Sequence, residues 1–400
     1  MDTSNAYAKK LYVALFASSL TTHAWATEPA SVPVGNLALT PTVDLTTGYT
    51  DNLFDSVSDE KSTWFSTVRP GLNLQGSKGG LTAGVNASLE HGVYYSSRAD
   101  DYTDKGVSAY ATVEFDSRKK LDLLAEYLKL HDARSDSGSG DALSTDVASK
   151  ASRYTMKNLG ATFTYGTPRS TGQIIVKGDI SDREYDNFRD FTASKDRQTK
   201  SVSGTFFYRV APKTRMLVEG RYKDVDYDLS SVTLDSDTKK LLVGVEWDAT
   251  AKTSGLAKIG YARKDFDNNA RDDFSGSSWE VGVTWAPRTY SMFDLSTSRE
   301  AEESSGAADY IDTTSWTLGW SHEWTDVVAS RVSYNSLNED YVGDPSGTDD
   351  DTDTFTVGLS YDMRRWLTLG VDVSHVSFDS NQPDADYDSN TIVFKVQGSL

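Results

Sequence analysis

The 400-residue chain contains no cysteine, only five histidines and nine prolines, and 25% charged residues. Without cysteine no disulfide can brace it, and with so little histidine it has few places for imidazole chemistry. Past residue 26 no apolar run approaches the ~20 residues a membrane helix requires, so no transmembrane helix is expected. Basic residues are outnumbered: 40 Lys and Arg against 59 Asp and Glu give a net charge of −19. Nucleic-acid binding needs a basic footprint, so that partner class is excluded. Aromatics, by contrast, are abundant, with nine Trp, 21 Tyr and 15 Phe. In so polar a chain this points to an alternating surface and away from one large core.

The N-terminus reads as a targeting segment. Lys9 and Lys10 precede the short apolar run LYVALFASSL, and Ala24-Trp25-Ala26 forms a small-x-small cleavage site. A signal peptide over 1–26 for Sec-type export is expected, then a short periplasmic segment over 27–35 and one barrel domain over 36–400.

The mature chain alternates with period two nearly throughout. In SVSGTFFYRV (201–210), Val202, Gly204, Phe206, Tyr208 and Val210 share one face, while Ser201, Ser203, Thr205, Phe207 and Arg209 share the other. In RMLVEGRYK (215–223), Met216, Val218 and Tyr222 oppose Arg215, Leu217, Glu219, Arg221 and Lys223. Trp279/Val281/Val283/Trp285, Phe355/Val357/Leu359/Tyr361 and Ile392/Phe394/Val396 repeat the pattern. These are strands with one apolar and one polar face.

Two kinds of connection alternate between them. One is tight and repeats a phrase: VAPKTRM (210–216) returns as WAPRTYSM (285–292), with a looser copy in YGTPRSTG (165–172). A hairpin turn tolerates proline because it needs no ladder donor. The other kind is expected to be long and acidic, as at 132–146, 299–312, 338–353 and 378–390. The run Asp349-Asp350-Asp351-Thr352-Asp353 lacks the glycine and glutamate of a calcium loop and is read as solvated loop. About 18 strands fit between these marks. Hydrocarbon cannot satisfy an open sheet edge, so the expected fold is all-β: a transmembrane antiparallel up-and-down β-barrel with short periplasmic turns and long acidic extracellular loops. A soluble sandwich or propeller would alternate too, but here the second face is too charged to be a core. Trp64, Tyr165, Trp247, Trp285, Trp320 and Trp324 are expected to form interfacial girdles.

The first strand and its exit, PTVDLTTGYTDNLF (41–54), together with the proline–base–Thr turns and the final strand NTIVFKVQGSL, resemble the outer-membrane β-barrel porin family associated with exopolysaccharide and capsule export clusters of Gram-negative bacteria. The resemblance covers the whole mature chain, and GYTDNLF is its most specific part. It implies an outer-membrane exit for an exopolysaccharide or capsular polysaccharide, with a periplasmic polysaccharide-export protein as a partner. Outer-membrane lipid, lipopolysaccharide and the barrel-assembly machinery are the other expected partners. The chain departs from the usual insertion signal in ending on Leu400 where an aromatic is common.

Polar parity selects the residues facing the lumen. Arg69, Glu90, Glu114, Glu126, Lys177, Arg209, Glu219, Arg221, Lys223, Glu280, Arg331 and Asp372 are the candidate contacts for a polymer or solute. Asp44, Asp122, Asp179, Lys240, Glu246, Lys258, Lys264, Asp294, Asp362 and Lys395 fall on the same face. Acid and base are nearly balanced, which suits either a mutually paired, hydrated wall or a conduit of weak, exchangeable contacts. An enzyme is not expected. His91, His322 and His375 share parity with apolar faces, His131 merely neighbours Asp132, and no hydrolase, metalloprotease or nucleotide-binding motif is present. Neither a cofactor nor a metal is expected. A general diffusion porin for small solutes and a non-conducting structural or adhesive surface barrel stand beside polymer export as alternatives.

Overall fold

The computed structural model describes residues 31–135, 142–250, 252–304 and 307–399; the expected signal peptide lies outside them. A three-residue strand, β1 (Val32–Val34), is the first element of the described residues and lies within what the sequence suggested was a periplasmic segment. Eighteen long strands follow. The first six are β2 (Leu37–Thr50), β3 (Thr63–Lys78), β4 (Leu81–Tyr94), β5 (Tyr102–Asp116), β6 (Lys119–Asp132) and β7 (Ser152–Tyr165). Next come β8 (Gly172–Tyr185), β9 (Arg197–Ala211), β10 (Thr214–Tyr227), β11 (Ser236–Thr250), β12 (Thr253–Phe266) and β13 (Phe274–Arg288). The last are β14 (Ser291–Glu303), β15 (Tyr310–Thr325), β16 (Val328–Val342), β17 (Asp349–Arg364), β18 (Leu367–Ser380) and β19 (Tyr387–Ser399).

Each long strand pairs antiparallel with its sequence neighbour, and β19 pairs with β2, from Thr391 opposite Thr50 to Ser399 opposite Thr42. The sheet is therefore a closed 18-stranded barrel, and β1 only extends the edge of β2 through Val32 opposite Leu39. Closure follows from the solvent: every ladder group in hydrocarbon must find a partner in the sheet itself.

The tight turns fall where expected, at one edge. Gly79 adopts φ +61 in the turn between β3 and β4, a conformation that strains any residue with a Cβ. The two proline phrases are not equivalent, however. Pro212 sits in the two-residue turn between β9 and β10, whereas Pro287 lies within β13, where the register slips between Trp285 and Arg288 and no ladder donor is missed.

The opposite edge departs from expectation. Three of the segments read as long acidic loops are largely strand: Asp349–Asp353 opens β17, 299–303 closes β14, and 378–380 closes β18, whereas 132–146 is strand only at Asp132 among its described residues. The connections at 343–348 and 381–386 are only six residues long. A 14-residue strand spans about 45 Å, while the apolar band of such a barrel is only ~25 Å tall. The strands outrun the hydrocarbon, and their outer ends are free to be acidic. Asp349 and Asp351 both accept from Asn338 Nδ2 (2.9 and 3.1 Å), and Ser380 Oγ donates to Asp350 at 2.6 Å. In the short connection 343–348, the hydroxyls of Ser346 and Thr348 donate to Asp344 and hold its carboxyl below the usual range.

One face of the barrel wall is studded with exposed apolar side chains, among them Leu159, Val218, Leu241, Val243, Ile259 and Leu318. The apolar face is not evenly covered. Across β5–β10 small side chains leave a depression of about 850 Å³ in it. Ala109, Ala111, Ala125, Ala161 and Gly178 are among its lining, with Leu123, Leu159, Ile180 and Val202 on its flanks and Lys200 and Tyr222 at one side.

Arginine at Val243, mid-strand on β11 and 52% exposed, should cost about 2–4 kcal/mol if that face meets hydrocarbon. Urea unfolding in detergent checks this, and an unchanged midpoint would place the side chain away from lipid.

Candidate functional site

The polar face is the concave, inner one, as contacts that skip strands demonstrate. Glu219 and Arg221 on β10 stand opposite Leu242 and Lys240 on β11, Gly244 stands opposite Lys258 on β12, and Lys258 stands opposite Glu280 on β13. Arg221 nevertheless reaches Glu280 directly, its Nη2 lying 2.9 Å from Oε2, and it also pairs with Glu219. Lys258 Nζ donates to Glu219 at 2.8 Å and to Glu280 at 3.3 Å. Further out, Lys240 bonds Glu300 on β14 at 2.6 Å. Glu303 accepts from both Lys223 (2.9 Å) and Lys264 (2.6 Å).

Strands lie about 4.8 Å apart, so β10 and β14 are separated by ~19 Å of wall. Lysine and glutamate cannot span that gap across a gently curved cylinder. The wall must turn sharply between β10 and β14, and the ion pairs fill the inside of the corner. Lys258 and Lys264 are 4% and 0% exposed, whereas the Arg221 and Lys223 side chains keep roughly a quarter of their surface open to the lumen. Burial without such pairing would be costly; with it, each charge has a partner.

This corner gathers Glu219, Arg221, Lys223 and Glu280 from the candidate set and leaves the others dispersed around the wall. Arg69 lies 3.9 Å from Glu90, which accepts the Tyr102 hydroxyl at 2.6 Å. Glu126 accepts from Asn158 at 3.1 Å, and Lys177 sits 3.4 Å from Asp179. Asp372 pairs with Lys395, and Arg209 Nε donates to the Ser170 carbonyl at 3.3 Å. Glu114 and Arg331 make no side-chain ion pair among the described residues and are exposed.

Glu300 and Glu303 were missed because they were assigned to an acidic loop. Glu300 had a signal, since it continues the even parity of Asp294, Ser296 and Ser298. Glu303 had none: strand β14 stops there, and the parity ends with it.

The aromatic positions divide between the two edges. Trp64 tilts against Tyr49 at 5.5 Å beside the outer ends of β2 and β3. Tyr165, Trp247, Trp285, Trp320 and Trp324 lie at the tight-turn edge. There Phe293 stacks between Trp285 (5.3 Å) and Trp320 (6.2 Å), while His322 packs on Trp324 at 4.3 Å.

The outer mouth is lined by packed side chains. Leu53, Tyr94 and Tyr102 form one apolar cluster, and Arg134, bonded to both Asp100 oxygens at 2.8 and 2.7 Å, lies over the Phe54 ring. Val225, Tyr227, Leu234, Phe266, Phe274 and Tyr310 form a second cluster on the opposite side of the mouth. The neighbours His131 and Asp132 diverge: His131 Nδ1 lies 3.0 Å from Asp104 and the ring stacks on Tyr102, whereas Asp132 accepts the Tyr185 hydroxyl at 2.6 Å. No cluster of His, Asp and Glu suited to a metal occurs among the described residues.

Replacing Lys258 by Met leaves Glu219 and Glu280 sharing Arg221 and should lower unfolding stability by about 2 kcal/mol. Replacing the unpaired Arg331 by Met should change it by less than about 0.5 kcal/mol. Urea titrations of the two proteins, side by side, test the difference.

Comparison with known proteins agrees with this geometry. Solved structures that share the fold include OpdK of Pseudomonas aeruginosa (13% identity, TM-score 0.54, covering 90% of this chain and 99% of that one), a BenF-like porin of Pseudomonas fluorescens (11%, 0.51, 90% and 99%) and OprD of Pseudomonas aeruginosa (12%, 0.50, 94% and 97%). No curated protein sequence matches. The family described as "Putative beta-barrel porin 2" matches residues 26–399. With nearly the whole chain matched and a closed barrel of outer-membrane type, the protein belongs to this family of β-barrel porins and is a channel-type barrel of the Gram-negative outer membrane.

Proposed function

We propose that the barrel is a diffusion channel for small solutes, with carboxylate-bearing solutes favoured over cations. The observation that carries this reading is the charged corner of β10–β14. Arg221 and Lys223 are paired yet remain open to the lumen, so a passing carboxylate can trade places with Glu280 or Glu303 on them. Exchange of one weak partner for another is what conduction requires: a site good enough to enter and poor enough to leave. The packed apolar clusters at the outer mouth offer a sugar polymer few hydrogen bonds, which favours small solutes over the polysaccharide exit implied by the family resemblance. OpdK, which shares the fold, has been solved with vanillate, a small aromatic carboxylate.

Liposomes containing the purified barrel should swell rapidly with mono- and disaccharides, and reversal potentials should show anion preference. Substituting Arg221 and Lys223 by Met removes the two cations that the corner exposes to the lumen, so the anion-to-cation permeability ratio should fall by roughly twofold or more. An unaltered ratio removes the corner from the permeation path. Slow swelling combined with passage of long acidic glycans restores the polymer exit. A silent bilayer would leave a surface-attachment barrel.

A further inference from the structure

The depression in the outward face of β5–β10 answers no need of the lumen. A wall facing lipid can be uniformly convex. Here its floor is stripped to Ala109, Ala111, Ala125, Ala161 and Gly178, while the neighbouring outward positions carry large apolar groups such as Leu159 and Ile180. The result is a nearly wholly apolar concavity of about 850 Å³, within the range of ligand-binding clefts.

Its position gives the second observation. The floor lies at mid-strand, and the depression runs toward the outer ends of the strands, reaching Lys200 only three residues inside the end of β9. At this height the outward face turns from apolar to charged. Lys200, about half exposed, sits 2.8 Å from Asp226 and 3.6 Å from Asp224, and Lys157, one outward position beyond Leu159, sits 3.3 Å from Asp182. An ammonium group has three donors, so both lysines retain donors for a further anion. The three adjoining carboxylates outnumber the two lysines, so an anionic headgroup would arrive with its divalent counter-ions.

We propose that this concavity seats the acyl chains of one phosphorylated glycolipid of the outer leaflet, with Lys157 and Lys200 meeting its phosphate. Chains fill the apolar floor, and the headgroup lies where the wall becomes charged. A second copy of the barrel fits less well. Its apolar wall would cover the Lys157–Asp182 and Lys200–Asp226 pairs and strip their water without supplying partners.

The test uses the full mature barrel in detergent with magnesium, offered lipid A or its dephosphorylated form and read by native mass spectrometry. Wild-type protein should retain one lipid A per barrel and hold the dephosphorylated form about tenfold less well. Lys157→Gln with Lys200→Gln should abolish that preference. Ala125→Phe with Ala161→Phe, which fills the floor, should lower retention of both lipids by about tenfold. Heat-modifiable migration confirms assembly of each variant, and the wild-type comparison stands even if the filled barrel fails to assemble. Equal retention of the two lipids by wild type, or unchanged retention by an assembled filled variant, overturns the proposal. So does a dimer that the filled variant loses, because the concavity would then be a protein interface.

Discussion

The structure depends on the inability of hydrocarbon to hydrogen-bond a peptide group. Each strand crossing the membrane must hand its N–H and C=O groups to two neighbours, and only closure supplies a neighbour at both edges. Period-two alternation is then obligatory, because a ladder residue faces either lipid or lumen. Exposed Val243 and buried Leu242, adjacent on β11, show how completely one step along the chain changes the environment. Apolar character alone does not decide the face, since Leu242 is as apolar as its neighbour; the register does.

Within that closed ladder the cross-section is free to vary, and charge shapes it. Arg221, Lys223 and Lys240 draw together strands three or four places apart, and Lys258 and Lys264 fill the space between them, so the wall folds into a corner at β10–β14. Beside it the outward face is hollowed where the side chains on β5–β8 are small. A corner built from ion pairs remains polar and exchangeable where the lumen needs it. A corner built from leucine would be as well packed, but it would offer a solute nothing.

Most of the architecture was legible in the chain because its cause is local. Alternation reveals the strands, the proline and glycine turns reveal one edge, and parity places Glu219, Arg221 and Lys223 together on the face opposite Val218. The errors arose where composition was read in place of periodicity. Asp349–Asp353 looks like a loop because it is acidic, yet Thr352 and Thr354 keep the ladder going beneath it. The corner itself was not legible. Nothing in the sequence reports that β10 and β14 approach each other, since that depends on curvature summed over five strands. Glu303, the residue that joins Lys223 to Lys264, could be placed only once the wall was seen to bend.

The closing pair bears on how such a barrel can form. Strand β2 exchanges fourteen residue pairs with β3 but nine with β19, from which it is separated by almost the whole chain. Hairpins along the rest of the sheet unite segments already adjacent, whereas this seam must bring together opposite termini at a large entropic cost. Until β19 has emerged, β2 presents an open edge that any foreign strand could take. The molecule is therefore most vulnerable to mispairing late in biogenesis, and escort of its first strand is worth more than escort of any other.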